Sequence, residues 1–233
     1  KHVGGWKFLI FPAISKNGEV LHDARENEED LIMIKGQIGE SEFQAQYLQE
    51  PPVLAKGLIK EEKIQLVEHT VEEDETFAIS IDSASKTGAE NDFTAITVWS
   101  LKENEVILVD AIKAKMEFTA LREKVQSLIK TILPQFVIIE DKSSGTQLIQ
   151  ELKNVDSKII GVKPKGDKII RFCPAIVYFE NGFIKVNKNI SILKDLMEEV
   201  LTFPNSQHDD FVDSISQFIK WREGVFGRFT FNK

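Results

Sequence analysis

The chain has one cysteine, Cys173, in 233 residues. That excludes an internal disulfide and a cysteine-based zinc site, and a reducing, intracellular setting is expected. The four histidines form no ligand cluster in the sequence. No apolar run approaches the roughly 20 residues of a membrane-spanning helix. The opening KHVGGWKFLIFP lacks a small-residue cleavage site, so a signal peptide is not expected. Internal repeats and Gly/Ser linkers are missing too. The chain starts at Lys1 without a methionine, which suggests a piece of a longer protein.

An excess of positive charge is also missing. The formal net charge is −8, against the basic footprint of a generic nucleic-acid binder. The distribution changes that reading. Residues 1–75 carry 16 acidic and 8 basic residues, whereas 76–233 carry 21 of each. Within 142–194 there are 10 basic and 4 acidic residues, so a phosphate backbone could be held there. With 42% hydrophobic and 28% charged residues, a globular protein is expected.

What is present in quantity is carboxylate at the ends of local structural signals. Asp82 closes the apolar run of FAISID. Glu140 and Asp141 close FVIIED, and Asp209, Asp210 and Asp213 open QHDDFVDSISQFI. None has an obvious salt-bridge partner in its own segment. Burying an uncompensated charge is costly. Converging carboxylates are tolerated if a hard divalent cation sits among them, and two such ions about 4 Å apart can clamp a phosphodiester.

Residues 1–60 read as a connector, with one or two short helices in 22–52 and a stop at Pro51-Pro52. Residues 61–233 read as one domain. FAISIDSA, FTAITVWSL and VILVDAIKAK predict a three-stranded antiparallel meander. An amphipathic helix with Leu121, Val125, Leu128, Ile129 and Ile132 on one face follows. QFVIIED then predicts a strand parallel to a neighbour. A helix from GTQLIQELK, a strand from KIIGVKP and a helix ending near Gly182 come next. FIKVNK predicts a short edge strand, and two helices close the chain. The class is α/β: a mixed sheet of three antiparallel strands plus parallel strands, flanked by helices. That order resembles the ribonuclease-H-like fold, in which the first and fourth of these strands would set Asp82 beside Glu140.

Strand alternation lets only one of Glu140 and Asp141 face such a site. Glu140 is the better candidate, and Asp141 fits a turn or capping role. On a helix, Asp209 and Asp213 share a face, as do Asp210 and Asp213. Ser206-x-x-Asp209 also matches a capping box, which leaves Asp209 with a structural alternative. Asp213 lies too far inside the helix for capping. Asp92 could return to the same sheet end as Asp82 or simply form a turn. Lys163, Lys165, Lys168 and Arg171 are candidate phosphate contacts, and Lys86 is a further basic candidate for the same role. His208 could orient a carboxylate or merely open the helix, and Trp99 and Trp221 read as core.

The ordered segments IDSASKTGAENDFTAITVW, VIIEDKSSGTQLIQEL, KPKGDKIIRF and FPNSQHDDFVDSISQFIKW resemble the nuclease domain of phage large terminase subunits. GESEFQAQYLQEPP resembles the stretch that joins the terminase ATPase to that nuclease. The resemblance implies a ribonuclease-H-like endonuclease that cuts concatemeric viral double-stranded DNA during packaging, with two Mg²⁺ or Mn²⁺ ions. By motif, Asp82 and Glu140 match the first two catalytic, metal-binding carboxylates. Asp209, Asp210 and Asp213 are candidates for the third, and related resolvases favour Asp210 with Asp213. Implied partners are the upstream ATPase domain, the portal and the small terminase subunit, with no membrane. The implied setting is the cytoplasm of a bacterial host. No G-x-x-x-x-G-K-[ST] phosphate-binding loop occurs here, so ATP hydrolysis is not expected of this piece. Two rival readings are a junction resolvase on the same fold and a non-catalytic docking module with an acidic face in 19–75.

Overall fold

In the computed structural model, residues 9–15, 17–49, 57–73, 75–83, 93–152, 155 and 157–229 are described. The chain divides into two compact units, 1–54 and 55–233. In the first unit, where one or two short helices are expected, there are two, α1 (Glu28–Ile38) and α2 (Glu40–Gln46). Asn27 and Asp30 form a reciprocal capping box at the start of α1, satisfying N–H groups that the first turn leaves free. Gly39, at φ +85°, breaks the helix before α2, a conformation open to glycine without Cβ strain. Leu31 and Phe43 are buried in this unit. Pro51 and Pro52 lie outside the described residues.

The second unit is built on seven strands. They are β1 (Gln65–Val67), β2 (Thr76–Asp82), β3 (Thr94–Leu101), β4 (Val106–Ala114), β5 (Phe136–Glu140), β6 (Lys158–Val162) and β7 (Ile184–Asn187). Their spatial order is β1-β7-β4-β3-β2-β5-β6. β2, β3 and β4 form the antiparallel meander, while β5, β6, β7 and β1 pair in parallel with their neighbours. The expected edge position of FIKVNK needs correction. β7 is interior, between β4 and the three-residue β1, which takes the edge.

The pleat sorts side chains to two faces. Ile79 and Ile81 of β2, with Val137 and Ile139 of β5, pack under Leu121, Val125 and Ile129 of α3 (Phe118–Ile132) and Leu148 of α4 (Ser144–Glu151). Ala78 and Ile138 belong to the opposite core, with α5 (Lys168–Glu180), α6 (Leu193–Thr202) and α7 (Asp210–Phe226). There Trp99 is fully buried and stacks on Phe218, ring centroids 4.1 Å apart. Trp221 is buried in the same core.

The parallel pairing of β2 with β5 positions the carboxylates. Ile81 is in register with Ile139, so the next residue on each strand, Asp82 and Glu140, arrives at the same sheet end. Both strands then stop, and a parallel pair must leave that end through loops.

Candidate active site

Asp82 and Glu140 are in hydrogen-bond contact at the ends of their strands. Asp82 keeps some exposed surface, yet protein surrounds its carboxyl. Burial pushes its pKa well above the usual carboxylate range. The Glu140 hydrogen bond and the charges of Glu140, Asp213 and Asp210 push it further the same way. Two carboxylates that share a hydrogen bond need a proton or a cation between them.

Helix α7 brings the third group. It is pinned to the sheet by a buried polar network that the sequence reading missed. Ser80 Oγ donates to Ser214 O at 2.9 Å, and Ser214 Oγ donates back to Ser80 O at 3.1 Å. Thr97 Oγ1 lies 2.8 Å from Ser214 Oγ and accepts from Trp99 Nε1. Gln217 Nε2 donates to Ser80 Oγ and to the Ile81 carbonyl. These bonds fix the helix against the strand that carries Asp82. Asp213, one turn before Gln217, therefore faces the cleft that Asp82 and Glu140 line, together with Arg171, Gln217 and Lys220.

The three aspartates of the cluster have different partners. Asp213 Oδ1 accepts from Arg171 Nη2 at 2.6 Å, and its Oδ2 lies 3.1 Å from Lys168 Nζ. Burial raises the Asp213 pKa more than these two cations lower it. Asp209 accepts from Lys168 at 2.6 Å. Asp210 pairs with Lys113 of β4 at 2.8 Å. Lys168 and Arg171, expected as DNA contacts, thus neutralise the acidic cluster. The partners missing from each local segment come from distant ones.

The capping expectation for Asp209 also needs correction. Asp209 occupies the N-cap position of α7, but among the described residues its side chain makes no capping hydrogen bond. Glu199 of α6 does that work from outside. Its Oε1 accepts from Phe211 N at 2.6 Å and Val212 N at 3.2 Å, while its Oε2 accepts from Lys113 at 2.6 Å. Glu199 is 5% exposed. Burial raises its pKa, against the opposing pull of Lys113 and the two N–H groups. Lys113 and Glu199 carry no local sequence signal, because each acts on α7 from another element. Lys220 could have been found from its helical spacing to Asp213.

Other candidates fall as follows. Asp141 lies beyond β5, accepts from Thr146 Oγ1 at 2.8 Å and sits 3.8 Å from Lys163. Lys165 is exposed. His208 meets the edge of Phe93, ring centroids 5.0 Å apart. Lys86 and Asp92 lie outside the described residues. Among the described residues, no group of three or more His, Cys, Asp or Glu side chains is arranged to hold a metal ion. The donor set nevertheless fits a hard cation. It is all oxygen, its members crowd one cleft, and Asp82 sits among the charges of Glu140, Asp213 and Asp210.

Gly145 lets α4 start against the site. A Cβ there would stand 2.0 Å from the Glu140 carbonyl oxygen, so backbone would have to move. Gly145→Ala should lower stability by about 1–3 kcal/mol through overpacking and displace Glu140. Thermal melting checks this; an alanine variant that melts like the parent would contradict it.

Comparison with known proteins places these features in context. The family described as Terminase RNaseH-like domain matches residues 79–220. No curated protein sequence matches. Among solved structures, a large terminase from a thermophilic bacteriophage superposes with a TM-score of 0.63 at 15% identity, covering 85% of this chain and 51% of that one. This chain therefore spans about half the length of that protein, which has also been solved with ADP. The large terminase nuclease domain of Thermus phage P74-26 gives a TM-score of 0.55 at 13% identity, covering 77% of this chain and all of that one. The large terminase nuclease of thermophilic phage G20c, with bound cobalt, gives 0.54 at 12% identity, covering 73% and 98%. The G20c nuclease has also been solved with magnesium and with zinc.

Proposed function

The chain belongs to the terminase RNase H-like domain family, and on that footing we propose that it is a divalent-metal-dependent endonuclease acting on double-stranded viral DNA during genome packaging. The observation that carries this reading is the convergence of Asp82, Glu140 and Asp213 on one cleft at the end of two parallel strands. These three would hold the ions, Mg²⁺ or Mn²⁺; the relatives with bound cobalt and magnesium support a divalent metal. Bound ions would supply an activated water and stabilise the departing 3′ oxygen. Asp210 instead serves the ion pair with Lys113, and Asp209 the one with Lys168.

The protein's own groups do the positioning. Gln217 holds α7 to the strand end, and Glu199 holds the start of α7. Lys220, exposed at the cleft wall, is placed to meet a phosphate, and Lys163 and Lys165 extend the basic rim. Lys86 would add to it. Phosphate contacts position DNA without reading its sequence, so little cut-site specificity is expected of this unit alone. Residues 1–60 would connect to an ATPase domain, and portal and small terminase subunit would be the other partners. The setting would be the cytoplasm of a bacterial host; among the described residues no helix is long and apolar enough to cross a membrane.

The test is cleavage of supercoiled plasmid with Mg²⁺, with Mn²⁺ and with EDTA. Cutting should require the ion and stop in EDTA. Undiminished cutting in EDTA would remove the metal from the account. The described charge balance also implies weak duplex binding that falls steeply with salt. Tight binding that is equal at low and high salt would contradict that electrostatic argument.

A further inference from the structure

The proposed ligand set gives Asp209 and Lys168 no chemical step, yet both sit against it. Lys168 Nζ lies 2.6 Å from Asp209 Oδ2 and 3.1 Å from Asp213 Oδ2. Arg171 Nη2 covers the other Asp213 oxygen at 2.6 Å. Both oxygens of Asp213 are therefore engaged. Each oxygen keeps a second lone pair, but a divalent cation at Asp213 is repelled by both neighbouring cations, and moving one of them off relieves that repulsion.

The two cations are not equally easy to release. The Arg171 side chain is 15% exposed, and its contact is the shorter one. The Lys168 side chain is 47% exposed, its contact with Asp213 is longer, and a second carboxylate already touches it. Lysine is a compact charge on a flexible stem, whereas a guanidinium holds a fixed direction. Lys168 can leave Asp213 and keep its ion pair with Asp209, losing only the longer of its two contacts.

We propose that Lys168 is a movable counter-ion shared by Asp213 and Asp209. Asp209 is then a positioning residue: it draws Lys168 away so that Asp213 Oδ2 becomes available to a divalent cation. Arg171 stays on Oδ1 and keeps the carboxylate aimed. The inference rests on Asp82, Glu140 and Asp213 being the metal site. It explains why Asp209 is neither a helix cap nor part of the cleft wall that Asp82 and Glu140 form.

The test is calorimetric titration of the full chain with Mn²⁺, with Asp82→Asn as reference. Partly exposed ion pairs are worth little, so affinity changes of about two- to five-fold are expected. Lys168→Met should tighten Mn²⁺ binding by that factor, because the competing cation is gone. Asp209→Asn should weaken it by a similar factor, because Lys168 then rests on Asp213 alone. In the double variant the Asp209 effect should vanish, leaving the affinity of Lys168→Met. Both substitutions are close in size to the parent and partly exposed, so melting in EDTA should barely change. The Mn²⁺-induced rise in melting temperature should rank the variants in the same order. Unchanged or weaker binding by Lys168→Met would overturn the proposal. So would an Asp209→Asn loss that persists in full without Lys168, which would make Asp209 a direct ligand. A parent that binds no Mn²⁺, or an Asp82→Asn protein that binds it equally well, would instead remove the metal-site reading itself.

Discussion

Asp82→Asn should abolish metal-dependent cutting while leaving the metal-free protein as stable as the parent, or more so. Outer-shell groups at metal sites are worth about 10- to 100-fold, so a direct ligand should cost on the order of a thousand-fold or more. The stability side follows from the raised Asp82 pKa. Burial, then the Glu140 hydrogen bond and three nearby negative charges, favour the protonated form in the fold. A folded pKa above the unfolded one gives stability that is present at acid pH and is lost as pH rises through the folded value. At neutral pH the metal-free parent therefore bears a repulsion that asparagine removes. Melting curves in EDTA from acid to neutral pH should show a decline in the parent that is flattened in Asp82→Asn. A variant that cuts like the parent would defeat the assignment. One that melts far lower in EDTA would show that Asp82 acts structurally.

Glu199→Ala should be the most destabilising single change near the site. It removes the acceptor for two α7 N–H groups and takes buried Glu199, one of two carboxylates, from half-buried Lys113. Breaking a buried pair by removing one partner costs about 3–5 kcal/mol. For a chain of this size that corresponds to a fall of roughly 10 °C in melting temperature. Glu199→Gln keeps an acceptor for the helix start and should lose less. Activity should fall in both, because α7 carries Asp213. Thermal melting of the two variants decides the matter. Equal melting of Glu199→Ala and parent would mean that the helix start is held by something else.

Much of the fold was legible because apolar runs in this chain end where strands end. FAISID and FVIIE name both the central pair and the residues that leave it. The meander followed from three runs with short turns between them. β1 was not legible, since QLV is three residues long and largely exposed, with no alternation to detect. That omission also put β7 on the edge, because an edge is defined by what fails to pair beside it.

The site was legible as a set of segments and not as a set of atoms. Helical spacing alone makes Asp209, Asp210 and Asp213 equivalent candidates. What distinguishes them is Lys113 on β4 and Lys168 and Arg171 on α5, which reach α7 only in the folded chain. The same limit applies to the basic stretch. Net charge in 142–194 shows that cations are available there, and cannot show which of them face carboxylates rather than phosphates. Ser214 and Gln217 went unnoticed for a related reason. A serine or glutamine inside an amphipathic helix looks ordinary until the strand beneath it is seen to carry Ser80 and Thr97.

The most direct measurement of the central claim is anomalous diffraction from crystals of the chain soaked in Mn²⁺. The account predicts manganese density in the cleft, in contact with carboxylate oxygens of Asp82, Glu140 and Asp213, with Lys113 still on Asp210. Manganese held by Asp209 or Asp210 and away from Asp82 and Glu140 would contradict it, as would a cleft that takes up no ion at all.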